Sequence, residues 1–102
     1  MTLYILTKDA ENDLRNIASY TVKNHGSKKL RNYKISLEDK FNEIGDESVV
    51  ARQFSKNLPQ VLVVRCEHHF IFFLSGKPAI IIAILHERMD MISRIRNRLS
   101  NE

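Results

Sequence analysis

The sequence predicts an α+β fold: an N-terminal strand and a helical hairpin packed on a mainly antiparallel sheet, followed by a short C-terminal helix. Three observations predict it. From residue 7 to residue 45 apolar residues recur three or four positions apart, the period of a helix face. After residue 60 the chain turns into runs rich in Val, Ile and Phe, divided by turn signals, as strands are. The connections are short, so consecutive elements are expected to lie side by side and antiparallel.

The elements follow in order. Leu3 to Leu6 is a short apolar run, read as a strand buried on both faces. Thr7 supplies a capping oxygen, and Ala10, Leu14, Ile17, Ala18 and Val22 form one helical stripe. Gly26 is placed to end that helix in the left-handed conformation, and Ser27 to cap the next. The second helix carries Leu30, Tyr33, Leu37, Phe41 and Ile44, with Gly45 as its stop. From Asp46 to Gln60 the period dissolves. Val49, Val50, Phe54 and Leu58 suggest a loop with room for one helical turn, and Pro59 disfavours helix at Leu58.

Val61–Cys66, His69–Leu74 and Ala79–Leu85 are the predicted strands. Glu67-His68 makes a tight hairpin of the first two, and Ser75-Gly76-Lys77-Pro78 turns between the last two. The last strand ends at His86. Asp90 caps a final helix with Ile92, Ile95 and Leu99 on one side. The order is β-α-α-β-β-β-α, with the helices on one face of the sheet. At 102 residues the chain fits a single domain spanning 1–102.

Composition excludes several classes. With 43% hydrophobic and 27% charged residues the balance is that of an ordinary globular protein. The formal charge of +4 is too mild to identify a nucleic-acid binder, and an acidic protein partner explains it equally well. Lys23, Lys28, Lys29, Arg31 and Lys34 precede the first compensating acid, Glu38, and read as a solvated helix face. One cysteine, Cys66, rules out an intrachain disulfide. The N-terminus has no secretory pattern and the longest apolar run, Ala79–Leu85, is too short to span a bilayer. The cytoplasm is the expected location, with no membrane partner.

Cys66, His68, His69 and His86 carry metal-binding side chains, but the spacing is wrong for zinc. Adjacent strand residues point to opposite faces, and no Cys-x-x-Cys or His-x-x-x-His pair accompanies them. A buried thiol with packed or hydrogen-bonded histidines is expected instead, with no metal and no cofactor. His86 and Arg88 stand where a strand leaves the sheet, a common place for function. Structurally, His86 would bond a neighbouring loop and Arg88 would pair with Glu87 or Asp90. Met89 and Met91 offer an adaptable contact surface or core filling.

Three stretches carry a resemblance. They are Tyr4-Ile5-Leu6-Thr7 with Ala10-Glu11-x-Asp13-Leu14-x-x-Ile17-x-x-Tyr20, then Arg65-Cys66-Glu67-His68-His69-Phe70, then Ala83-Ile84-Leu85-His86-Glu87-Arg88-Met89-Asp90. Together, from Tyr4 to about Leu99, they resemble ParE toxins of the RelE/ParE superfamily, above all those of broad-host-range plasmid stability systems. That resemblance implies a plasmid-maintenance toxin that causes growth arrest. Its target would be DNA gyrase, with replication halted and cleaved DNA stabilised.

It also implies a cognate antitoxin whose C-terminal segment folds as it wraps the toxin, giving a toxin–antitoxin hetero-oligomer. Leu14, Ile17, Leu30, Tyr33 and Leu37, on the hairpin stripes, are the expected antitoxin contacts. Arg65, His69, His86, Arg88, Met89, Arg94 and Arg98, from the Arg65–His69 hairpin, the strand exit and the terminal helix, are the expected target contacts. No sequence-specific nucleic-acid binding is implied.

The alternative is the other branch of the superfamily, resembling RelE, which cleaves messenger RNA in the ribosome. That chemistry needs cations against phosphate and a group to move the 2′-hydroxyl proton. Where those nucleases place basic residues, this chain has Val61, Val63 and Phe70, and no aromatic follows Phe73. Only Arg65 and His86 remain as phosphate binder and acid. Direct nicking of DNA by the toxin alone is a third possibility. No catalytic residue is expected, so the chain is read as a binding protein rather than an enzyme.

Overall fold

A computed structural model describes residues 3–100. The elements run β1 (Tyr4–Leu6), α1 (Lys8–His25), α2 (Ser27–Gly45), β2 (Arg52–Ser55), β3 (Leu58–Cys66), β4 (His69–Leu74), β5 (Ala79–His86) and α3 (Met91–Ser100). The five strands form one sheet in the order β1-β5-β4-β3-β2. β1 pairs with β5 in parallel and every other pairing is antiparallel. Met1, Thr2, Asn101 and Glu102, the ends of the expected domain, lie outside the described residues.

Strand alternation divides the core in two. Val64, Cys66, Ile71, Phe73, Ala79, Ile81 and Ile84 face the α1–α2 hairpin and pack with Ala10, Tyr33, Leu37, Phe41 and Ile44. Val61, Val63, Phe72, Ile82, Ala83 and Leu85 form the other cluster, with Ile95 of α3 and Phe54 of β2. The consecutive pair Ile82 and Ala83 breaks the alternation because the β4–β5 register shifts between Phe72 and Phe73. That bulge places one extra residue on β5. The helices therefore do not share a face: the hairpin covers one side and α3 packs on the other.

Thr7 caps α1 as the sequence predicts, accepting from the Ala10 N–H at 3.1 Å. Gly26, at φ 87°, makes the turn between the helices and is itself the N-cap of α2. Ser27 is the first helical residue rather than the cap. Gly45 also differs from expectation. It belongs to the helix, is buried, and needs to be glycine because a Cβ there would meet the Leu3 Cβ at 2.7 Å. On α1 the inward position is Thr21, not Val22, which is 46% exposed. On α3, Met91 rather than Ile92 joins Ile95 and Leu99 against the sheet, leaving Ile92 half exposed.

Two strand readings are corrected. β1 is not buried on both faces: Tyr4 and Leu6 reach the core while Leu3 and Ile5 are exposed, as befits an edge strand. The stretch expected as a loop contains β2 and no helical turn, and β3 begins at Leu58, three residues before the predicted start. Arg52-Gln53-Phe54-Ser55 has one apolar residue because only one side chain of this edge strand is used inwardly. The Phe54 ring stands edge-on to Phe72 at 4.9 Å. No helix among the described residues is long and apolar enough to cross a membrane.

β1 covers only Ala79–Ile81 of β5, so the strand's remaining length is unpaired on that side. One more backbone bond and then side chains take over. The Thr7 N–H donates to Ile81 O, and the Ile84 N–H donates to the Asp13 carboxylate at 2.9 Å. Arg98 of α3 then donates to both Asp13 oxygens, at 2.7 and 2.9 Å, and to Ile82 O at 2.8 Å. Both side chains are largely shielded, at 17% and 12% exposure. Hydrogen bonding to Asp13 holds the Arg98 guanidinium above even its usual high pKa. Asp13→Ala is expected to cost about 2–4 kcal/mol in urea denaturation, because it strands both a shielded cation and the Ile84 amide. Arg98→Met should cost a comparable amount, because it leaves the shielded Asp13 carboxylate without its cation and the Ile82 carbonyl without that donor.

Candidate functional site

Two surfaces stand out. The first is a groove of about 330 Å³ between α1 and α2. Leu14, Ile17 and Ala18 line it from α1, and Leu30, Tyr33, Leu37 and Phe41 from α2. The five residues expected to contact an antitoxin are thus gathered in one place. They divide by depth: Tyr33 and Leu37 are buried in the floor, while Leu14, Ile17 and Leu30 are half-buried walls. Glu11 and Arg15 on one rim, Lys34 and Glu38 on the other, put both signs of charge around an apolar centre. Such a shape suits an amphipathic segment.

The second surface is the sheet end formed by the β3–β4 hairpin and the β5–α3 linker. Cys66 pairs with His69 and His69 with His86, which brings the three histidines together. The His69 and His86 rings meet edge to face at 5.3 Å, and His68 stacks on His86 at 6.5 Å. The hairpin turn holds Glu67 at φ 55°, a conformation uncommon for a residue with a side chain. Arg65 steadies it: Nε donates to Glu67 O at 2.9 Å and the guanidinium lies over the Phe70 ring at 5.3 Å. Arg65 is also ion-paired with Glu87, whose other oxygen lies 3.7 Å from His68 Nδ1.

Below this layer the Tyr33 hydroxyl lies 3.2 Å from Cys66 O and 2.5 Å from His69 Nδ1. Both contacts are satisfied when the hydroxyl donates to the carbonyl and an Nδ1–H donates to the hydroxyl oxygen. Burial, with charge repulsion from the His86 and His68 side chains adding to it, pulls His69 down to about 4. Burial likewise pushes the Tyr33 phenol and the Cys66 thiol upward, with Glu67 adding to both, so Cys66 stays a thiol. Among the described residues no group of three or more His, Cys, Asp or Glu is arranged to hold a metal ion.

The expected target residues scatter. Arg65, His69 and His86 share the sheet end, while Arg88 and Met89 project from the adjoining linker and are exposed. Arg94 is exposed on α3, but Arg98 is committed to Asp13 and turned away from solvent. Arg88 pairs with neither Glu87 nor Asp90. Glu87 serves Arg65, and Asp90 caps α3 by accepting from the Ser93 N–H at 3.3 Å. His86 does bond its neighbouring loop, with Nδ1 accepting from the Arg88 N–H at 3.2 Å. Sequence reasoning missed Glu87 and Asp13. Each pairs with an arginine far along the chain, and only the strand register brings Glu87 to Arg65.

Chemically, Arg65 is matched by the Glu87 carboxylate, and the Arg88 amide holds His86 Nδ1 as an acceptor, which leaves Nε2 as the ring's other nitrogen. The buried His69 gives a pH prediction. Its folded pKa lies below the ordinary 6.5, so the unfolded chain binds the proton first and stability should fall as pH drops from 6.5 towards about 4. The groups facing it are Tyr33, His68, His86, Glu87 and Asp13. Urea titrations between pH 6.5 and 5 should show a shallower pH slope for His69→Gln than for the wild type. Identical slopes would remove His69 as the cause.

Comparison with known proteins places this geometry. The family model described as "ParE toxin of type II toxin-antitoxin system, parDE" matches residues 4–91. The curated Toxin ParE of Escherichia coli is 42% identical over 101 residues, covering 97% of this chain and 98% of that protein. A solved structure described as the chromosomal ParDE TA system from P. aeruginosa superposes with a TM-score of 0.69. It covers 84% of this chain and 96% of its own at 21% identity, a likeness of fold. With its sheet, hairpin groove and near full-length match in hand, the chain belongs to the ParE toxin family of type II toxin–antitoxin systems.

Proposed function

We propose that this protein arrests growth in the cytoplasm by binding DNA gyrase, halting replication and stabilising cleaved DNA, with no bond broken by its own side chains. A cognate antitoxin neutralises it. Family membership across nearly the whole chain carries the reading. The state of the sheet end supports it: the guanidinium best suited to meet a phosphate there, that of Arg65, is already matched by Glu87. The target face is the linker and adjoining helix, with Arg88, Met89 and Arg94 outermost and Arg65, His69 and His86 behind them.

For the antitoxin, the family's description names a type II toxin-antitoxin system, parDE, and the α1–α2 groove is the apolar surface of suitable shape. An amphipathic segment that orders on docking would fill it.

Purified protein added to gyrase should inhibit supercoiling and accumulate cleaved DNA, and the purified antitoxin should reverse both. Normal gyrase turnover at saturating toxin sinks the proposal. Cuts in ribosome-bound messenger RNA that disappear in Arg65→Ala or His86→Ala would favour the RelE-like alternative. In the groove, Leu14→Asp and Leu30→Asp, both half-exposed, should weaken antitoxin binding at least tenfold, about 1.4 kcal/mol or more, while leaving the fold intact. Unchanged antitoxin affinity in both variants would exclude the groove as its site.

A further inference from the structure

We propose that Glu87 is a positioning residue: its carboxylate, set between Arg65 and His68 of the β3–β4 hairpin, fixes the β5–α3 linker that presents Arg88 and Met89. The inference rests on the reading of that linker as part of the target face.

The linker runs between His86, where β5 ends, and Met91, where α3 begins. Glu87, Arg88, Met89 and Asp90 are all exposed, so no core side chain anchors them. Two of its hydrogen bonds are local: Met89 N–H to His86 O at 3.0 Å, and Arg88 N–H to His86 Nδ1 at 3.2 Å. Local bonds keep the linker folded on itself but leave its direction open. Asp90 caps the adjoining α3, accepting from the Ser93 N–H, and Glu87 alone ties the linker to the β3–β4 hairpin. Its N–H donates to His68 O at 3.0 Å, and its carboxylate takes Arg65 on one oxygen and faces His68 on the other.

Arg65 is a firm anchor for this purpose. Its Nε is bound to Glu67 O and its guanidinium rests on Phe70, so its position is set before Glu87 arrives. The pair is partly exposed, at 55% and 31%, and ion pairs of that exposure add little to global stability. Its effect is local, on the opening of one short segment. It also selects the charge on display. Glu87 offsets Arg65 and leaves Arg88, paired with neither Glu87 nor Asp90, as the outward cation beside Met89, which is 42% exposed.

The test compares Glu87→Gln with the wild type in amide hydrogen exchange and in growth arrest after induction without antitoxin. The Glu87 and Met89 amides should exchange at least tenfold faster in the variant, while the Ile84 amide, held by Asp13, exchanges as before. Growth arrest should weaken at least tenfold in surviving cells. Glu87→Asp, which keeps a carboxylate for Arg65 and leaves the Arg65 anchor intact, should hold exchange closer to the wild-type rate than Glu87→Gln does, which a merely structural loss would not do. Wild-type exchange at both amides in Glu87→Gln, or faster exchange with undiminished growth arrest, overturns the proposal. Should the wild type arrest growth with gyrase turnover unaffected, the gyrase reading falls, and the role of Glu87 is still decided by these two measurements.

Discussion

The fold depends on how the outer side of β5 is closed. β5 is the most apolar strand and nearly every residue in it is buried, yet its β1 neighbour is three residues long. An uncovered strand edge leaves amides and carbonyls unpaired and invites association with other chains. Asp13 and Arg98 close it with side chains: one accepts from the Ile84 amide, the other donates to the Ile82 carbonyl, and the two bind each other. One ion pair thus joins the first helix, β5 and the last helix. Without it α3, ten residues long and too short for stability by itself, would rest on little more than Ile95 and its flanking apolar neighbours.

From that frame the two surfaces emerge at different ends of the molecule's chemistry. The hairpin stripe does two jobs by depth. Tyr33, Leu37 and Phe41 complete the core, and the same rows, continued outward through Leu14, Ile17 and Leu30, form a groove. Because the floor of the groove is the roof of the core, occupancy of one would be felt as stability in the other. Tyr33 links the groove to the sheet end directly, since its ring lines the groove while its hydroxyl meets His69 and the Cys66 carbonyl.

At the sheet end, burial and pairing quiet groups that would otherwise be reactive. His69 is kept neutral, Cys66 stays a thiol and Arg65 is matched by Glu87. What remains outermost is an arginine, a methionine and the exposed side of α3, including Ile92 and Arg94. Mixed apolar and cationic surfaces of this kind favour protein contact, where flexible methionine adapts and arginine supplies directed hydrogen bonds.

Local pattern alone determined much of this protein. The 3.6-residue period placed both hairpin helices, Thr7 and Asp90 marked two helix starts, and β-rich runs located β3, β4 and β5, because burial of one face imposes a period on the residues that form it. The same stripe supplied the groove residues. Tertiary structure alone decided the rest. β2 was hidden because an edge strand needs one inward residue, Phe54, and so shows no run of apolar side chains. Gly45 looked like a helix stop but answers to Leu3, a whole hairpin away, and Arg98 looked like a surface cation but answers to Asp13, 85 positions earlier. Local sequence records what a residue does for its own helix or strand; which distant backbone or charge it meets is fixed only when the strands find their register.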